Sequence, residues 1–157
     1  MLPMARQFQG FNGEVTQKTI DYYAERAKGG VGLIILGSTR VFPPGHPFYT
    51  PASLNIGDDR YLPGHCDLVQ AIHAHGAKVA IQFGHIGGQT VHQSVAASDV
   101  QQFFCDGTAY CKPRPITRDE IYDMIEQFGN GAFKAKTAGY DMVEIHAAHG
   151  YLLSGFL

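Results

Sequence analysis

The stretch TQKTIDYYAERAKGGVGLIIL, residues 16–36, carries two periodicities in succession. Ile20, Tyr23, Ala24 and Ala27 recur at i, i+3, i+4 and i+7, so they share one face of a helix. Thr16 is placed to cap its start and Gly29-Gly30 to stop it. Val31-Gly32-Leu33-Ile34-Ile35-Leu36 follows at once without polar alternation. Such a run fits a strand covered on both faces, as in a parallel sheet.

The same alternation continues along the chain. A second helical stretch runs from about Leu62 to His75, with Leu62, Cys66, Val69, Ile72 and His73 on one side and Gly76 ending it. The strand Lys78–Phe83 follows. Thr117-Arg118-Asp119-Glu120 forms a capping box, in which hydroxyl and carboxylate each satisfy an orphan backbone N–H. Ile121, Met124, Ile125, Phe128, Ala132 and Ala135 make the apolar stripe of this third helix, Gly139 closes it, and the strand Met142–Ile145 comes next. With Met1-Leu2 as the end of a first strand, the order is four strands and three helices. Strands alternating with helices mean βαβ units and a parallel sheet. The connections after the strands, Gly37–Arg60 and Gly84–Ile116, are long, whereas those from helix back to strand are very short. That asymmetry places a functional site at the strand C-terminal ends.

Composition bounds the reading. The 157 residues are 45% hydrophobic and 17% charged, with a formal net charge of −2. One domain is the expectation at this length, and the apolar content argues against long disorder. A near-neutral balance argues against nucleic-acid or anionic-membrane partners. A complete (β/α)8 barrel needs roughly 200–250 residues, more than this sequence has. Three cysteines, Cys66, Cys105 and Cys111, are irregularly spaced and fit reduced thiols in a cytoplasmic protein. The first residues carry no signal-peptide pattern, and no apolar run approaches the length of a membrane span.

Chemistry-bearing residues gather just past the strand ends: Gln82 and His85 after one, then His146, His149, Tyr151 and Ser154 after another. On one parallel sheet these would converge on one rim. His146-Ala147-Ala148-His149 sets two imidazoles three residues apart, able to donate N–H bonds to one substrate oxygen. The same pair could ligate a metal with His85, giving a metal-dependent hydrolase, although no third ligand follows in sequence. Tyr151 is a candidate general acid, since a phenol keeps its proton at neutral pH; a packed rim aromatic is the plainer reading. Gln82 offers a carboxamide that donates and accepts, as a pyrimidine edge requires, or else a buried amide bonded to backbone. Of the other histidines, His73 lies on the apolar face of the second helix and is expected in a core or interface. His46, His65, His75 and His92 are expected in solvent.

Several segments together resemble the old yellow enzyme family of FMN-dependent ene-reductases, in its NADH:flavin oxidoreductase and 2,4-dienoyl-CoA reductase-like branch. They are Leu2-Pro3-Met4-Ala5, Gly13-Glu14-Val15-Thr16, Asp21 through Ile34, His75-Gly76-Ala77-Lys78, Gln82-Phe83-Gly84-His85-Ile86-Gly87 and Val143 through Ser154. The resemblance implies the N-terminal half of a (β/α)8 TIM barrel, with residues 1–157 as a partial FMN-binding domain truncated at both ends. It implies that Leu2, Pro3, Met4 and Ala5 run beside the flavin, that Gly37 meets the ring through its backbone, and that Gln82 bonds its pyrimidine edge. His146 and His149 would hold the substrate oxygen, with His146 also near the flavin, Gln7 would touch substrate, and Tyr151 would protonate the α-carbon. NADH or NADPH would reduce FMN, and hydride would pass to the β-carbon of an activated alkene.

The sequence departs from the family pattern at Ala5, where Cys or Thr is frequent, at Gly88, where Arg is common, at Gln7 in place of an aromatic, and at Gly155 in place of Gln or Asn. The family's later phosphate-binding loops and any iron–sulfur cysteines belong to a C-terminal region outside this sequence. Without those phosphate contacts, a second reading is a non-catalytic half-barrel unable to hold FMN alone, whose open strand edges invite association into a homo-oligomer.

Overall fold

A computed structural model describes residues 1–49, 53–91 and 94–157. Helix α1 spans Gln17–Lys28, strand β1 Leu33–Thr39, helix α2 Leu62–His73 and strand β2 Lys78–Phe83. Two short strands follow, β3 at Val95–Ala96 and β4 at Arg114–Pro115, then helix α3 at Arg118–Ala138 and strand β5 at Met142–Ile145. Single 3-10 turns occupy Asp59–Tyr61 and Leu153–Gly155. The chain gathers into two compact units, Met1–Phe83 with Glu126–Glu144, and Gly84–Ile125 with Ile145–Leu157.

The first unit carries the sheet, in the order β1-β2-β5. β1 and β2 are parallel, with Leu33 opposite Lys78 and Leu36 opposite Ile81; the register shifts before Thr39 meets Phe83. In β2 every residue from Val79 to Phe83 is buried, as expected for a strand covered on both faces. β1 departs from that expectation, since Ile34 and Leu36 are buried but Leu33 and Ile35 only partly so. The sheet has three strands where the sequence suggests four. Met1 nevertheless lies along β1: its ammonium donates to the Leu33 carbonyl at 2.5 Å, and its carbonyl accepts from Ile35 N–H at 3.0 Å. One residue bonded in this way is too short to count as a strand. The β3/β4 pair, parallel between Val95 and Arg114, was not expected from sequence, since two-residue strands carry no periodicity.

Local signals place the helix ends. Thr16 caps α1 by accepting from Thr19 N–H at 3.3 Å. The capping box of α3 forms as read: Thr117 Oγ accepts from Glu120 N–H at 3.3 Å, and Glu120 accepts from Thr117 N–H at 2.9 Å. Arg114 adds two bonds to the same carboxylate, at 2.8 and 2.5 Å. These bonds, the arginine's first, hold the Glu120 carboxyl at about 2 against an opposing push from burial.

Two apolar faces differ from expectation. In α2 the buried residues are His65, Leu68, Val69 and Ile72. His65, expected in solvent, is fully buried, whereas His73, expected in a core or interface, is exposed in this chain and bonded to Asp141 at 2.8 Å. The His65 ring is tolerated inside because both nitrogens are satisfied. Nε2 lies 3.0 Å from the Asn55 carbonyl and must carry the proton, so Nδ1 accepts the Tyr140 hydroxyl at 2.7 Å. Burial pushes this imidazole down to about 4, the Asn55 bond opposing, so it is neutral at pH 7. In α3, Ile125 is 62% exposed rather than part of the core stripe. It shares a flank with exposed Tyr122 and Phe133, while Met124, Ala135 and Ala138 face inward. Among the described residues no helix is long and apolar enough to cross a membrane.

Candidate functional site

In the first unit, the segment after Met1 packs on the end of β1. A Cβ at Gly37 would lie 2.3 Å from the Met4 carbonyl carbon and 2.6 Å from Ala5 N, so only glycine admits this crossing. Beside it lies a small cleft open to solvent, whose lining includes Met4, Ala5, Gln7, Gly37 and Ser38. Leu2 and Pro3 lie outside that lining. Gln7 takes a left-handed φ of 51°, uncommon for a residue with a side chain. Ser53, which the sequence does not single out, also lines the cleft; it is 8% exposed and its Oγ has no hydrogen-bond partner among the described residues. Gln82 stands near the C-terminal end of β2, 6% exposed, and its carboxamide makes no hydrogen bond to another described residue.

In the second unit, the turn after β5 brings three sequence-chosen residues together. His149 Nδ1 lies 3.1 Å from His146 Nε2, with the ring planes nearly perpendicular. Tyr151 packs edge-on to both, its centroid 5.0 Å from His146 and 6.1 Å from His149. The hydrogen bonds assign the tautomers. Ala148 N–H donates to His146 Nδ1 at 3.3 Å, so a neutral His146 carries its proton on Nε2 and donates it to His149 Nδ1. A neutral His149 then carries its own proton on Nε2. Ser154 Oγ donates to the carbonyls of Tyr151 and Ala148, at 3.0 and 3.3 Å, and ties the turn to the 3-10 helix behind it.

His85 does not join the pair as a third ligand. Its Nδ1 accepts from Gly87 N–H at 3.0 Å, and its carbonyl accepts from Leu152 N–H at 3.1 Å. Among the described residues no three His, Cys, Asp or Glu side chains are grouped to hold a metal ion. His92 lies outside the described residues.

The chain as a whole is similar to known proteins. The model of the NADH:flavin oxidoreductase / NADH oxidase family matches residues 1–157. The chain belongs to that family. An NADH oxidase of Thermoanaerobacter brockii is 42% identical over 100% of this chain, which covers 24% of it. An NADPH dehydrogenase of Halalkalibacterium halodurans is 39% identical over 93% of this chain, which covers 42% of it. Among solved structures, morphinone reductase superposes with a TM-score of 0.80 at 30% identity, over 97% of this chain and 44% of its own. The old yellow enzyme homologue from Zymomonas mobilis gives 0.80 at 29% identity, over 96% and 44%. The fold is thus the N-terminal part of an old yellow enzyme TIM barrel, and the chain spans less than half the length of these relatives.

Proposed function

We propose that this chain is the FMN-binding, substrate-polarising part of an NAD(P)H-dependent ene-reductase. The observation that carries the proposal is the pair of imidazoles, held edge to face with a phenol beside them. Gln82, near the C-terminal end of β2, would hold the flavin's pyrimidine edge with a carboxamide that both donates and accepts. The Met4–Ala5 backbone, pressed against Gly37, would run beside the ring. When bound, FMN would supply the hydride that NADH or NADPH provides and the alkene β-carbon receives.

The chain's own part is polarisation and proton delivery. His149 offers an N–H from Nε2. A carbonyl or nitro oxygen would take the place of His149 Nδ1 as acceptor of the His146 Nε2–H, so both rings could donate to one oxygen. Donation to developing negative charge lowers the barrier because the donors are already fixed. Tyr151 would give its hydroxyl proton to the α-carbon. The Tyr151 phenolate left behind regains its proton from solvent.

The test is a titration of the chain with FMN, followed through flavin fluorescence, then oxidation of NADH or NADPH with cyclohexenone added. Flavin uptake with enone-dependent oxidation, lost in the His146→Ala/His149→Ala double variant, is the expected result. Tight flavin binding without enone-dependent oxidation defeats the ene-reductase reading. A chain that takes up no flavin behaves as the non-catalytic half-barrel.

A further inference from the structure

We propose that Gln89 is a positioning residue for His149, acting through the main chain. Its catalytic meaning rests on the function proposed above; the geometry stands independently of it. His149 has a φ of 61°, a conformation L residues rarely adopt. Something must hold the peptide there, and Gln89 Nε2 donates to the His149 carbonyl at 2.7 Å. Gly150 follows with a φ of 70°, and a Cβ there would lie 2.8 Å from Gln89 Nε2. The turn is thus shaped to admit this amide. A second main-chain bond, from Leu152 N–H to the His85 carbonyl, anchors the same two segments. That bond fixes the segments but not the rotation of the His149 peptide. The Gln89 amide fixes the rotation. Without the Gln89 bond the left-handed φ of His149 would relax toward the negative values L residues prefer, swinging its Cβ and carrying the imidazole off His146 Nε2, 3.1 Å away. The inter-histidine bond, and the tautomer it selects, therefore depend on a side chain 60 residues earlier in sequence.

The experiment is nitrogen NMR of the imidazole-labelled 157-residue chain at neutral pH, for the native protein and for Gln89→Ala, Gln89→Glu and Gln89→Lys. The native chain is expected to show His149 in one tautomer, with Nδ1 as a hydrogen-bond acceptor. Gln89→Ala and the nearly isosteric Gln89→Glu, whose carboxylate cannot donate, should lose that signature and give averaged tautomers. Gln89→Lys restores an N–H donor and should recover it. The buried His65 signals serve as the control for folding. An unchanged His149 pattern in Gln89→Ala or Gln89→Glu overturns the proposal, whatever the chain does with flavin. Should both variants unfold, the native chain decides the matter. A coupling across the bond between Gln89 Nε2 and the His149 carbonyl carbon supports the proposal, and its absence overturns it. A Gln89-dependent imidazole pattern in a chain without flavin chemistry would instead defeat only the functional reading.

Discussion

His65 and Tyr151 are both hydrogen-bonding rings, but their settings lead to different experiments. His65 is neutral and buried, pushed down to about 4 from its ordinary 6.5. The unfolded chain therefore takes up a proton at this residue between pH 6.5 and 4 while the folded chain does not. Stability should fall as pH drops through that window, by about 3 kcal/mol in all, and this contribution should level off below pH 4. Urea midpoints at pH 7, 5.5 and 4.5, ahead of most carboxylate titration, should show the slope, and His65→Gln should flatten it. At Tyr151 the expectation is kinetic. Tyr151→Phe should slow alkene reduction by roughly 10²–10⁴-fold, the usual worth of a general acid. Reduction of bound flavin by NAD(P)H should be unaffected, as stopped-flow half-reactions would show. The sequence marks Tyr151 through its place after His146 and His149. It mistakes His65, because a histidine's burial is set by whether partners reach both nitrogens, and Tyr140 arrives from 75 residues away to join Asn55 of the loop before α2.

At the scale of elements, the fold is held at two kinds of junction. Asp141, just before β5, accepts from Lys78 Nζ, Val79 N–H and His73 Nε2, all at 2.8–2.9 Å. Burial pushes its carboxyl up, but these three donors outweigh it and hold it well below the ordinary carboxylate range. The stability this gives is present above the unfolded carboxyl's pKa and is lost as pH falls toward the folded one. Asp141→Ala removes a junction of α2, β2 and β5 and should cost about 1–3 kcal/mol in denaturant unfolding, in keeping with loss of charge-assisted bonds. The α3 capping box is a local junction, and Thr117→Ala should cost about 1 kcal/mol, read as a lower melting temperature. The box was legible because donor and acceptor lie three residues apart. The Asp141 junction was not, because Lys78 and Asp141 are 63 residues apart. The α2 and α3 stripes were misread at the margin for a related reason. Periodicity shows that a face exists, but two neighbouring registers often fit it equally, and only the packed neighbour selects one.

The whole molecule divides its burial unevenly. β2 is covered on both faces and β1 fully on one and partly on the other, whereas β5 exposes Met142, Val143 and Ile145. Amide exchange should therefore be slowest along Ile34–Leu36 and Val79–Phe83. It should be faster in β5 and fastest around Asp106–Gly107, where the hairpin bonded between Phe103 and Ala109 turns in solvent. Mass-spectrometric exchange on the intact chain would check this order; a β5 as protected as β2 would contradict it.

By itself the sequence determined the βα alternation, the helix caps and the cluster of His146, His149 and Tyr151. Each depends on residues within one or two turns of each other, where spacing translates directly into geometry. Only the tertiary structure decided that His65 is inside and His73 outside, that Gly37 must yield to the Met4 backbone, and that Gln89 holds the His149 peptide. Those outcomes depend on contacts between segments far apart in the chain, and no periodicity records which distant partner will arrive.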